Sequence, residues 1–309
     1  MLPQHALLMS GVQSASLGGL VVALMGCVFN APDNPSFPLT SAAASDALAE
    51  MRTAPRTLER PVIVVGGYMD PGFGTRSLVR RLRRLTGDDR VYGISFGWVW
   101  TFEACREKVI DRLQHILPSG DPEWTTEVDV VGISMGGVIS RYAASRIDRG
   151  PEPVVARRLR IARLFTISTP HRGAIIADTL PGWNRLHIDL RSNSPFLRGL
   201  NTLPKPRYAI YPYVRLGDLV VGERNSIPPY DDGVWWVPTP CLGAGHMGAV
   251  FDLRIIADIA RRLRGETPFS RRPRSPLPGT TCDPIVMCCT GSAIEESSGA
   301  AEVRITPWP

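Results

Sequence analysis

One serine in this sequence sits where a hydroxyl could become a nucleophile. Ser134 lies in residues 130–138, VVGISMGGV, with Gly132 and Gly136 two positions to either side and an apolar run before it. A serine hydroxyl attacks a carbonyl when a base takes its proton and nearby donors stabilise the oxyanion that forms. After Ser134 the chain offers His171, His187 and His246 as bases, and Asp218, Asp231 and Asp232 as acids that could orient one of them; Asp189 falls too early in the chain. Alone, the G-x-S-x-G pattern is weak, because roughly one chain in ten of this length carries it by accident at average glycine and serine usage.

The elements around Ser134 carry more weight than the pattern. Residues 128–133 are expected to form a buried strand, and a helix is expected from about 135 to 149, so Ser134 falls on a strand-to-helix turn. Such a turn strains the serine backbone, exposes the hydroxyl and requires small neighbours where strand and helix close together. It also aims the free N–H groups of the helix start at developing negative charge. Further strands are expected at 61–65 (PVIVV), 90–96, 160–168, 208–216 and 234–237, with helices at 77–85, 102–117 and 247–264. This alternation predicts a mostly parallel central sheet with helices on both faces. Residues 174–205 interrupt the alternation and are expected to form a small cap or lid.

With these elements in place the chain resembles the α/β-hydrolase superfamily, and within it the lipases and esterases, over roughly residues 60–265. The resemblance implies an α/β-hydrolase fold and a catalytic order of serine, acid, histidine. His246, in GAGHMG between the last strand and last helix, stands where that family places its base. His171 belongs to TPHRG, which resembles a segment that shapes the site in many lipases; it is the rival base. Asp218, in LGDLVV after the 208–216 strand, matches the acid loop, with Asp231 and Asp232 in PYDDG as rivals. The expected oxyanion donors are the N–H groups of Met135, directly after the nucleophile, and Tyr68, in the loop VGGYMDPG. In that loop Gly66 stands where lipases usually carry histidine. Asp70 and Arg172 admit a role near the pocket or a local one in turns, and Trp98, Trp100, Trp235 and Trp236 could line an acyl pocket or pack in the core.

These residues imply hydrolysis of carboxylic esters, lipid or acyl esters above all, through an acyl-enzyme on Ser134, without metal or cofactor. An acyltransferase or thioesterase using the same triad, and a catalytically silent binding protein of this fold, are the alternatives.

Composition sets the frame. With 309 residues, 44% of them hydrophobic, the chain can bury a large core. The net charge of +6 comes largely from arginines clustered at 80–84, 157–163 and 261–264. These read as solvated flanks, and no nucleic-acid-binding motif accompanies them. The six cysteines lack the paired spacing of a metal site, and Cys105 falls in a helical pattern as a buried thiol. Residues 1–27 are expected to form an export leader, because LGGLVVALMGC is an apolar run of signal length ending in a lipobox-like LMGC. That reading lipidates Cys27 and anchors the protein at a membrane surface; no lysine or arginine precedes the run, and without a working leader the protein is cytoplasmic. Residues 28–60 are expected to be a flexible linker, 61–265 the hydrolase domain and 266–309 a disordered tail. The composition does not fix an oligomeric state.

Overall fold

The computed structural model describes residue 34 and residues 36–147, 157–182, 184–230, 235–237 and 245–272. The leader with Cys27, the rival acids Asp231 and Asp232, and Cys241, Cys282, Cys288 and Cys289 lie outside the described residues.

Six strands form one sheet in the order β2-β1-β3-β4-β5-β6, and all five pairings are parallel. The strands are β1 (Val62–Val65), β2 (Val91–Ile94), β3 (Val128–Ile133), β4 (Ile161–Ile167), β5 (Ala209–Arg215) and β6 (Trp235–Val237). β1 is buried at every position, as a strand covered on both faces must be. Its side chains alternate: Val62 and Val64 enter one apolar cluster, Ile63 and Val65 the other. This is the period of two that places successive side chains on opposite faces of a sheet.

One face is covered by helices α1 (Ser41–Thr53), α2 (Phe73–Thr86) and α9 (Leu253–Leu263), whose Leu48, Leu82 and Ile256 join Val64 and Val131. The other face holds α3 (Phe102–Ile116) and α4 (Met135–Ala144), with Val109 and Ile139 against Ile63 and Val130. Between β4 and β5 the chain makes three short helices, α5 (Ile175–Thr179), α6 (Arg185–Asp189) and α7 (Pro195–Asn201). Leu186, Phe196 and Leu200 of this segment extend the second cluster. The chain has the α/β-hydrolase fold: helices on both faces of a parallel sheet, with a strand, a sharp turn and a helix at Ser134.

Several sequence expectations need correction. The linker assigned to 28–60 contains α1, which Thr40 caps by accepting from Ala43 N–H at 3.1 Å. Phe37, Leu39, Ala44, Leu48, Met51 and Leu58 are buried, so residues 36–58 pack on the core; the brief helical patch near 42–51, read as part of a tether, is a helix whose stability comes from packing. At the other end the folded part runs on past 265. Buried Asp258 accepts from Phe269 N–H at 2.6 Å and from Ser270 N–H at 2.8 Å, and so holds the first residues assigned to the tail.

The single helix expected over 247–264 is two: α8 (Gly245–Ala249) and α9, whose start is capped by Asp252. Nor are all the arginines solvated. Arg163 pairs with buried Asp129, and Arg264 is itself buried among backbone carbonyls. Trp98 and Trp100 are exposed, at 83% and 40%, so neither is core, and neither lines the cavity described below.

Candidate active site

In chain order, β2 follows β1 to one side of the sheet and β3 follows to the other, so the strand order reverses at β1. In open parallel sheets the crevice beyond the carboxyl ends of the strands at such a reversal is where ligands bind. Ser134 follows β3 directly, and residues 66–70 follow β1. The two neighbouring strands therefore deliver the serine and the 66–70 loop to the same spot.

Ser134 has φ 51° and ψ −124°, a left-handed conformation that a residue with a side chain holds only when its surroundings demand it. The surroundings here are specific. Ser134 N–H donates to Ile167 O at 2.8 Å, and Ser134 O accepts from Thr169 Oγ1 at 2.9 Å, so both peptide groups are held by β4 and its following loop. Gly136 is required by close approach: a Cβ there would overlap Val65 O and stand 2.7 Å from Gly66 O.

Ser134 Oγ lies 3.0 Å from His246 Nε2, and His246 Nδ1 lies 2.8 Å from Asp218 Oδ2. Asp218 is buried and its other oxygen accepts from Val220 N–H at 3.0 Å and Val221 N–H at 2.9 Å. Burial pushes this carboxyl up, but the hydrogen bond and charge of His246 and the two backbone donors outweigh it, leaving its pKa below the ordinary value. An ionised carboxylate only accepts, so Nδ1 carries the imidazole proton; Nε2 of the neutral ring then accepts from the serine hydroxyl. This is the tautomer a general base needs. His246 sits in the first turn of α8 and not in an open loop.

The other two histidines are elsewhere. His171 is fully buried, with Nδ1 accepting from Arg141 Nη1 at 3.2 Å and Nε2 at 3.4 Å from Thr166 Oγ1. Burial, followed by the charges of Arg141 and Arg172, holds its pKa well below the ordinary value. It braces α4 against the loop after β4 and makes no hydrogen bond to Ser134. His187 is buried on α6, inside the 174–205 segment expected to form a cap, and lines the cavity above Ser134. No periodic signal marks it, because α6 is a five-residue helix. Asp189, also on α6, is buried and pairs with Arg185 at 3.3 Å.

The 66–70 loop passes over the serine: a Cβ on Gly67 would stand 3.8 Å from Ser134 Oγ. Tyr68 and Met69 follow, Met69 with φ 51°. Asp70 holds the turn by accepting from Gly72 N–H at 2.7 Å and from Thr75 Oγ1, a local role, and it also lines the cavity described below. The same pair explains Gly66. A Cβ there would lie 2.7 Å from Thr75 Oγ1 and 2.8 Å from Asp70 Oδ2, so the space a histidine would need is filled. Met135 begins α4 directly after Ser134, so its N–H belongs to the free first turn of that helix. Arg172 is also local: it is exposed and donates to Ile227 O at 3.0 Å.

Above Ser134 opens a cavity of about 530 Å³ walled by apolar side chains, among them Ile133, Ile176, Leu190, Val221 and Val250. Met69, Phe73, Ile176, Met247 and Phe251 line it and are also exposed, so the apolar lining continues out onto the surface.

The sequence matches no protein-family model and no curated protein. Among solved structures it is similar to a protein of Lactobacillus plantarum WCFS1 assigned as a cell surface hydrolase, at 16% identity and TM-score 0.43, over 68% of this chain and 94% of that one. A protein of Agrobacterium vitis S4 assigned as a hydrolase is similar at 17% identity and TM-score 0.45, over 68% of this chain and 90% of that one. The phospholipase PlaB of Legionella pneumophila is similar at 16% identity and TM-score 0.35, over 50% of this chain and only 39% of that one.

Proposed function

We propose that this protein is a serine hydrolase of carboxylic esters, with Ser134 as nucleophile, His246 as general base and then acid, and Asp218 as the carboxylate that orients it. The observation that carries this reading is the unbroken hydrogen-bonded line from Ser134 Oγ through His246 to buried Asp218 on the floor of an apolar cavity.

Each step follows from those groups. His246 Nε2 takes the hydroxyl proton as Ser134 Oγ adds to the ester carbonyl. The N–H groups of Tyr68 and Met135 stabilise the oxyanion. The tetrahedral adduct collapses, the imidazolium gives its proton to the leaving alkoxide, and an acyl group remains on Ser134. Water, deprotonated by His246, then adds to the acyl carbonyl, and the serine leaves with the proton returned. Asp218 keeps the imidazole in the required tautomer and stabilises its charged form.

Apolar walls favour an acyl chain over a polar substituent, and the exposed apolar rim favours lipid esters. The test is an alkyl fluorophosphonate followed by intact-mass spectrometry, with turnover of p-nitrophenyl esters. Wild-type protein is expected to gain one phosphonyl group, and Ser134→Ala none, with turnover reduced about 10⁴-fold or more. Equal labelling of the two would end this assignment.

A further inference from the structure

The Tyr68 side chain does not enter the chemistry proposed above, yet it is held. Its hydroxyl accepts from Asn184 Nδ2 at 2.7 Å, a bond that runs from the loop after β1 to the segment between β4 and β5, 116 residues away. The orientation of Asn184 is fixed from its other side. Asn184 Oδ1 accepts from His187 N–H at 2.9 Å and so caps α6. With Oδ1 committed as acceptor, Nδ2 is the atom presented to Tyr68. The next turn is anchored as well, since Leu186 N–H donates to Trp100 O at 3.1 Å.

We infer that Asn184 is a positioning residue for the oxyanion donors: it ties α6 to Tyr68, so that the Tyr68 N–H is aimed at the reacting carbonyl only when the cap is seated. This rests on the hydrolase reading. The loop it restrains is strained at the next residue, Met69, with φ 51°, and strained turns persist only where their surroundings over-determine them. On one side Asp70 supplies that restraint through Gly72 and Thr75; on the other, Asn184 supplies it through the tyrosine hydroxyl. α6 also carries His187 into the cavity wall, so one short helix contributes both a wall of the acyl cavity and the tether of the loop that stabilises the oxyanion. Cap position and oxyanion stabilisation are thereby coupled through one hydrogen bond.

Two roles of Asn184 can be separated by substitution. Asn184→Ser keeps a good helix cap but is too short to reach Tyr68, and Tyr68→Phe removes the same bond from the other end while leaving the cap untouched. Kinetics on a soluble p-nitrophenyl ester are expected to show kcat lowered about tenfold in each, with KM unchanged. The double variant is expected to fall no further than either single one, and the melting temperature of all three to stay close to wild type. The inference is overturned if either single variant keeps wild-type kcat, if the two losses multiply, or if the loss lies wholly in KM. Ser134→Ala, run beside them, separates the two readings: its retaining turnover would end the hydrolase assignment, whereas a dead Ser134→Ala with wild-type kcat in Asn184→Ser and Tyr68→Phe would end only this inference.

Discussion

His171 and Asp218 show how burial acts on a titratable group with and without an opposite charge. His171 lies beside Arg141 and stays neutral in the folded protein, its pKa held well below 6.5. The unfolded chain takes up a proton there as pH falls below 6.5 and the folded chain does not, so stability declines with acidification by up to about 1.4 kcal/mol per pH unit. Urea unfolding at pH 7.5 and 5.5 should therefore show a smaller acid loss for His171→Gln than for wild type; parallel losses would mean that His171 protonates freely when folded. Asp218, charged where His171 is neutral, acts with the same sign at lower pH: its stabilising contribution is also lost on acidification. Its folded pKa lies below 3.8, so its contribution is complete above that value and is lost only as pH falls through the folded one. At residue scale the sequence nominated Ser134 by its setting, and Asp218 and His246 by the resemblance of their loops to those of the α/β-hydrolases; the structure brings these three into one hydrogen-bonded line. It could not nominate Asn184, because a lone asparagine in an irregular segment carries no pattern until its partner is known.

At the scale of elements, the ends of helices are joined by arginines that sequence alone reads as surface charge. Arg264, at the end of α9, donates to Leu85 O at 2.5 Å near the end of α2, and to Met51 O at 3.3 Å and Ala54 O at 2.7 Å around the end of α1. These are carbonyls that a helix end leaves without partners, at the negative end of its dipole. Arg264→Ala leaves them buried and unpaired, and is expected to cost about 2–4 kcal/mol. Chemical denaturation checks this, with an exposed arginine such as Arg80 as the control; equal, small effects of the two alanine variants would refute it. The strands were legible from their apolar runs because a strand covered on both faces leaves little room for polar residues. α1 was only partly legible, since an alanine-rich helix with few large apolar residues carries a weak periodic signal. The split between α8 and α9 was missed because a single capping aspartate, Asp252, decides it.

For the whole molecule, the reversal of strand order at β1 gathers Ser134, the 66–70 loop and the apolar cavity beyond the carboxyl ends of the strands. The exposed large apolar residues include Leu180 and Ile188 in the cap, beside those that line the cavity mouth. Among the described residues no helix is long and apolar enough to cross a membrane; the exposed apolar rim is the surface that could meet lipid. Burying an aliphatic side chain at an interface is worth about 1.5–3 kcal/mol. Replacing Leu180 and Ile188 together by serine is expected to lower hydrolysis of an emulsified long-chain ester about tenfold or more. Hydrolysis of a dissolved short-chain ester should stay within about twofold of wild type. Equal losses on both substrates would count against an aggregated lipid substrate.

The sequence by itself determined the alternation of strands and helices and the turn at Ser134, because these rest on local periodicity and on Gly132, where a Cβ would stand 2.6 Å from Gly137 just across the turn. It also limited the bases to three histidines. Only the tertiary structure sets His246 Nε2 3.0 Å from Ser134 Oγ and buries His171 beside Arg141, since buriedness and distance to Ser134 depend on contacts between segments far apart in the chain. The filling of the Gly66 site by Asp70 and Thr75, the place of residues 36–58 in the core, and the bond between Asn184 and Tyr68 were likewise decided there. Each joins residues whose neighbours in space are set by the packing of the whole sheet and its helices, and no local pattern records that.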